Sequence, residues 1–117
     1  MMTDGLKTIV YPVKDLGPAK ELFRTLLGVE PYADEPYYVG FRAGGHEIGL
    51  DPHGHAKGMT GPVPYWNVGD LRGALAELVA AGATPVQDAQ DVGGGTLIAS
   101  VRDQDGNVVG LVQDAPA

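Results

Sequence analysis

The sequence predicts an α+β fold made of two βαβββ modules, and three observations predict it. The chain repeats itself: Val13, Asp15 and Leu16 match Val68, Asp70 and Leu71, and Gly28 and Pro31 match Gly82 and Pro85. Each half carries one apolar stripe at helical spacing. Each half then ends in a strand with a glycine inside it, Gly49 in "HEIGLD" and Gly110 in "NVVGLVQ", although a glycine in a strand weakens packing and marks a bulge or a close approach.

Taken in order, each half opens on a short strand, Lys7 to Val13 and Val63 to Val68. A helix follows. In the first half Ala19, Leu22, Phe23, Leu26 and Leu27 form its apolar face, and in the second Leu71, Ala74, Leu75, Leu78 and Val79 do. Asp15 and Asp70 are N-cap residues, Pro18 suits a first turn, and Gly28 and Gly82 are stop signals. Short extended pieces, "VEPYA" and "TPVQD", lead into two longer strands per half: "YYVGFRA" and "HEIGLD", then "TLIASVR" and "NVVGLVQ". Gly44-Gly45 and Asp105-Gly106 read as the hairpin turns between them. The modules span residues 1–55 and 63–117, with residues 56–62 as the link, in a Gly/Pro-rich loop that starts at His53. One half cannot bury both faces of its sheet, so the halves pair with each other or with a second chain.

Composition bounds the function. With 44% apolar and 20% charged residues among 117, the chain is globular and not disordered, one small domain or two very small halves sharing a core. It has no cysteine, hence no disulfide, thiolate metal site or thiol nucleophile. A net charge of -7 argues against nucleic acid, and would favour a cationic small molecule if it does more than keep the protein soluble. "MMTDGLKTIV" has neither the charged start nor the apolar run of a signal peptide, and no run reaches membrane-spanning length. A cytoplasmic protein without a membrane partner is expected.

The doubled unit, the "V-x-D-L" after each first strand and the terminal "DQDGNVVGLVQ" together resemble the vicinal oxygen chelate superfamily, over Leu6 to Gln113. That superfamily holds glyoxalases, extradiol dioxygenases, fosfomycin-modifying enzymes and bleomycin-resistance proteins. The resemblance implies the glyoxalase/bleomycin resistance fold, a curved, mostly antiparallel sheet around a cavity. In metal-dependent members a ligand stands on the first strand and another on the last strand of each half, usually His and Glu. Carried onto this chain, those positions are Thr8, Gly49, Val63 and Gly110. None but Thr8, weakly, offers a donor to a divalent ion. No metal and no other cofactor is expected. Glycine at both last-strand positions would open room in the cavity; the alternative is that both mark bulges.

Strand alternation then selects the candidate ligand-binding side chains. With Thr8 and Val63 facing inward, Val10, Pro12, Tyr65 and Asn67 do too, along with Glu47, Gly49, Asp51, Val108, Gly110 and Val112. For the third strands the choice is Tyr38 and Arg42, then Ile98, Ser100 and Arg102. Tyr38 and Tyr65 could stack on a planar ligand, and Asn67, Ser100, Arg42 and Arg102 could orient it. His46, His53 and His55 are a weaker metal hypothesis, because His46 and Glu47 point to opposite faces and His53-Gly54-His55 reads as a flexible loop.

The leading reading is a metal-independent, homodimeric small-molecule-binding protein of the bleomycin-resistance type, sequestering an antibiotic-like or planar aromatic compound. No catalytic residue is assigned in that reading. An enzyme of the same superfamily is the alternative, using unusual metal ligands or acid–base chemistry at Glu47 or Asp51. A third reading is an assembly module without a small ligand.

Overall fold

The computed structural model describes residues 2–116. The elements in chain order are β1 (Thr3–Pro12), α1 (Leu16–Leu27), β2 (Ala33–Glu35), β3 (Tyr38–Ala43) and β4 (His46–Asp51), then β5 (Val63–Val68), α2 (Leu71–Ala80), β6 (Thr84–Asp91), β7 (Leu97–Arg102) and β8 (Val108–Gln113). A single 3-10 turn, His55–Lys57, interrupts the link. This is the expected α+β architecture of eight strands in a mixed sheet and two helices.

The chain divides into two compact units, Thr8–Val63 and the residues up to Lys7 together with those from Pro64 on. Strand order is β2-β3-β4-β1 in the first and β1-β5-β8-β7-β6 in the second. β1 starts earlier than the sequence suggests, at Thr3, and is divided between the units. Its residues Thr8–Pro12 run parallel to β4. Its first residue, Thr3, donates a hydrogen bond from its hydroxyl to the Asn67 carbonyl at 2.7 Å.

In the first unit, alternation works as expected. Val39, Phe41 and Leu50 are buried against Tyr11, Val13, Leu16, Ala19, Phe23 and Leu27, with the Tyr11 and Phe23 rings 4.9 Å apart. Asp15 caps α1 by accepting from the Gly17 amide at 3.1 Å, and Gly28 closes it at φ 69°. The expected apolar face of α1 is too wide, however. Leu22 and Leu26 are 65% and 71% exposed. Each precedes by one residue, and so by 100° of helix, the positions Phe23 and Leu27 that touch the sheet.

In the second unit Val68, Leu71, Ala74, Ala99 and Leu111 form the core, with Trp66, Leu75, Leu78 and Leu97 packed on it. Asp70 caps α2 through the Gly73 amide at 3.1 Å, and Gln113 Oε1 accepts from the Leu71 amide at 2.8 Å. Val79, expected in this face, is exposed, because it lies in the last turn at the edge of the stripe. α2 stops at Ala80, ahead of the positive-φ Gly82.

The two hairpins differ. Gly44 and Gly45 both take positive φ, the two-residue turn expected of them. Asp105-Gly106 does not form such a turn, because only Gly106 has positive φ. Asp103 organises a longer loop there, its Oδ1 accepting from the amides of Asp105 and Asn107 and its Oδ2 from the Asn107 side chain. Those bonds, led by the one from the Asn107 side chain, hold the Asp103 carboxyl below its ordinary pKa. The link is also tied by hydrogen bonds. Asp51, 6% exposed, accepts from the His53 amide and from Lys57 Nζ, both at 2.8 Å.

Candidate functional site

The cross-strand register carries the internal repeat into three dimensions. Val10 of β1 is opposed to Gly49 of β4, and Tyr65 of β5 is opposed to Gly110 of β8, by the same parallel pairing. On β3 and β7, Gly40 and Ser100 complete the two rows. All of these residues lie on the sheet face away from the helix of their own unit, since the alternate positions fill the two cores.

The glycines do not leave open space. A β-carbon built on Gly49 would stand 2.1 Å from the Tyr38 hydroxyl, and one on Gly110 would stand 2.5 Å from Tyr65 Cδ1. A third glycine, Gly40, is covered in the same way by Tyr32, whose Cζ would be 2.8 Å away. None of the three glycines has positive φ. The open-room expectation for Gly49 and Gly110 is therefore corrected, and so is the bulge: each glycine makes room for a tyrosine ring of the same unit.

Around Gly40 and Gly49 these rings build a polar network. Tyr32 donates from its hydroxyl to Glu47 Oε1 at 2.9 Å. The Arg42 guanidinium lies over the Tyr32 ring, 3.9 Å from its centroid. Tyr38 hydrogen-bonds to the Tyr32 hydroxyl. Burial first, and then the bond to Glu47, push the Tyr32 phenol up to about 12, against the smaller opposing effects of Arg42 and Tyr38. Beside this network a groove of about 330 Å³ is lined by Arg42, Ala43, Gly44, Gly45, His46 and Glu47.

Of the predicted residues in this unit, Tyr38, Arg42, Glu47 and Gly49 thus come together. Asp51 is committed to the link. Val63 is buried, at 2% exposure. Sequence reasoning missed Tyr32 and Gly40. The available signal was that strands β3 and β4 each carry a glycine and that the segment around them holds three tyrosines, Tyr32, Tyr37 and Tyr38.

In the other unit Tyr65, Gly110 and Ser100 form one row, and Asn67 lies one inward-facing step along, opposed to Val112 and so to Ile98. Ser100 is buried at 2% exposure, and Arg102 pairs with Val108 toward the loop end of the β7–β8 hairpin. The register chosen for Ile98, Ser100 and Arg102 agrees with the burial of Ala99 and Val101 and the packing of Leu97 against the core on the opposite face.

The four positions to which the resemblance assigns metal ligands hold Thr8, Gly49, Val63 and Gly110, and two of the four lie beneath tyrosine rings. These residues do not fit a divalent ion, which requires carboxylate, imidazole or thiolate donors. Among the described residues no three His, Asp or Glu side chains gather into a metal-holding group.

Two βαβββ units, each with a few polar side chains on the sheet face away from its helix, have the architecture of a glyoxalase-type domain. The chain belongs to the glyoxalase/bleomycin resistance protein/dioxygenase superfamily, whose family model matches residues 5–111. Solved structures share the fold. Methylmalonyl-CoA epimerase from Mycobacterium tuberculosis is 20% identical over 98% of this chain and 91% of its own, with a TM-score of 0.72. A superfamily member from Vibrio splendidus is 19% identical over 93% and 99%, with a TM-score of 0.69. The Mn(II)-bound glyoxalase from Novosphingobium aromaticivorans is 19% identical over 97% of this chain but 40% of its own, with a TM-score of 0.72. A search of curated protein sequences finds no match. No described helix is long and apolar enough to cross a membrane.

Proposed function

We propose that the protein binds a small organic molecule without the help of a metal ion. The observation that carries this reading is the residue set Thr8, Gly49, Val63 and Gly110, in which tyrosine rings take the space above both glycines. Without donors there is no Lewis acid and no activated water. What the helix-distal faces offer is aromatic surface from Tyr38 and Tyr65 and hydrogen-bonding groups from Arg42, Glu47, Asn67 and Arg102, the mixture that small-molecule sites use. A planar aromatic or antibiotic-like compound, held by a cytoplasmic homodimer and not altered, fits those groups and the net charge of -7.

The test is a thermal-shift and calorimetric comparison of dialysed protein with bleomycin, Mn²⁺, Zn²⁺ and Ni²⁺, together with elemental analysis. The reading expects stabilisation by the organic ligand and none by the metals. About one metal ion per chain after dialysis overturns it, and light scattering that gives a monomer at micromolar concentration removes the dimer.

A second reading has one observation in its favour. Glu47 presents a carboxylate whose Oε1 is held by Tyr32 while its Oε2 accepts no hydrogen bond among the described residues, an arrangement suited to proton transfer. Turnover that is abolished by Glu47→Gln would favour an enzyme.

A further inference from the structure

Arg42 and Glu47 are directly opposed on neighbouring antiparallel strands. Opposite charges so placed ordinarily pair. Here they do not: the ion pairs among the described residues are Lys7–Asp114, Lys20–Asp34, Arg24–Glu21, Arg24–Glu30 and Lys57–Asp51. Tyr32 is the reason. Its ring face carries the guanidinium at 3.9 Å and its hydroxyl holds the carboxylate at 2.9 Å. One side chain thus attracts both charges, at different atoms.

The separation leaves recognition groups unspent. Arg42 has no hydrogen-bond acceptor among the described residues, so the N–H groups of the guanidinium over the Tyr32 ring are available. Glu47 keeps Oε2 as an acceptor. Both residues line the same groove of about 330 Å³, together with Ala43, Gly44, Gly45 and His46. That volume is at the small end of the range for ligand sites.

We propose that this separated pair recognises the head of a zwitterionic small molecule, an α-amino acid or an amino-acid conjugate with free amino and carboxylate groups. The ligand carboxylate lies against the Arg42 edge, where two parallel N–H···O bonds are possible. Its ammonium donates to Glu47. The ligand closes, through its own two charges, the ion pair that Tyr32 keeps open. This names a ligand class for part of the face assigned above to small-molecule binding, and it rests on that assignment.

The experiment uses the full chain and three probes, followed by calorimetry and by the amide signals of Gly44 and Gly45. The probes are L-phenylalanine, phenethylamine, which lacks the carboxylate, and N-acetyl-L-phenylalanine, which lacks the ammonium. L-Phenylalanine is expected to bind saturably, and each analogue about tenfold or more weaker, the loss of one charge-assisted contact. Arg42→Gln should lower the affinity for L-phenylalanine to that for phenethylamine, and Glu47→Gln to that for the N-acetyl compound. Tyr32→Leu should allow Arg42 and Glu47 to pair and weaken L-phenylalanine about tenfold while the fold is retained. No saturable response at millimolar L-phenylalanine, equal affinity for the three probes, or variants that weaken all three alike would each overturn the proposal. Any of these results leaves the bleomycin and metal comparison standing, whereas a resident metal would sink that reading without changing the ranking of the three probes.

Discussion

Tyr65 stands over Gly110, its directly opposed partner on the neighbouring strand, so closely that a β-carbon on the glycine would meet Cδ1, Cε1 and Cγ of the ring at 2.5–2.7 Å. The glycine is therefore a packing requirement, and no backbone strain is involved, since its φ is negative. Gly110→Ala should cost about 1–3 kcal/mol, the usual range for overpacking. The cost should fall in a Tyr65→Ala background, where the ring is gone. A double-mutant cycle of melting or denaturant unfolding measures the coupling, expected at about 1 kcal/mol or more. Additive effects would show that Gly110 serves something other than Tyr65.

The first unit makes a graded counterpart. Gly49 lies under the tip of Tyr38, with the hydroxyl nearest at 2.1 Å, while Gly110 lies under the root of its ring. A tip can swing away by a small χ rotation, but a root moves only with its strand. Gly49→Ala should therefore destabilise less than Gly110→Ala, although its nominal contact is shorter. Parallel urea titrations of the two variants test the order, and the reverse order would mean that Tyr38 is the more tightly held ring.

Much of this was legible beforehand, for a physical reason. Period-two alternation is local, so the helix-distal placement of Tyr38, Arg42, Glu47, Tyr65, Asn67 and Ser100 follows from sequence once one residue per strand is oriented. The strand limits Val63–Val68 and His46–Asp51 likewise come directly from apolar patterning. What a glycine makes room for is not local. Gly40 is filled by Tyr32 from a three-residue strand too short to show a period, so the Tyr32–Glu47–Arg42 network could not be read from spacing. Leu22 and Leu26 failed for another reason. An apolar count along a helix says which residues could face a sheet, but the sheet accepts only a narrow stripe of them.

Tyr32 should be detectable by its own titration. Its pKa is raised from the ordinary 10 to about 12, so the folded chain holds this proton more tightly than the unfolded chain does. The associated stability is complete below pH 10 and is lost as pH rises through about 12. Ultraviolet titration of tyrosinate should show a late-ionising step that belongs to Tyr32. Tyr32→Phe should remove that step, and Glu47→Gln should move it downward by removing the negative charge beside the phenol. A titration of Tyr32→Phe that keeps the late step would assign it elsewhere and undo the network.

The link between the modules provides the last prediction. Asp51, a buried carboxylate, ties down the link: its Oδ1 accepts from the His53 amide, its Oδ2 from Lys57, and its carbonyl from the amides of Val13 and Gly54. The backbone bonds survive any substitution, so only the two carboxylate bonds are at stake. Asn keeps an acceptor for the His53 amide and loses the charge that holds Lys57, whose side chain is half exposed and can return to water. Ala loses both and leaves the His53 amide to find a new acceptor. Asp51→Ala should therefore cost about 1–3 kcal/mol, and Asp51→Asn clearly less. Lys57→Ala should cost about 1 kcal/mol or less, as for an exposed ion-pair partner. Hydrogen exchange at His53 should accelerate in Asp51→Ala and stay slow in Lys57→Ala. If Lys57→Ala loosens the amide as much as Asp51→Ala does, the ion pair and not the amide bond is what orders the link.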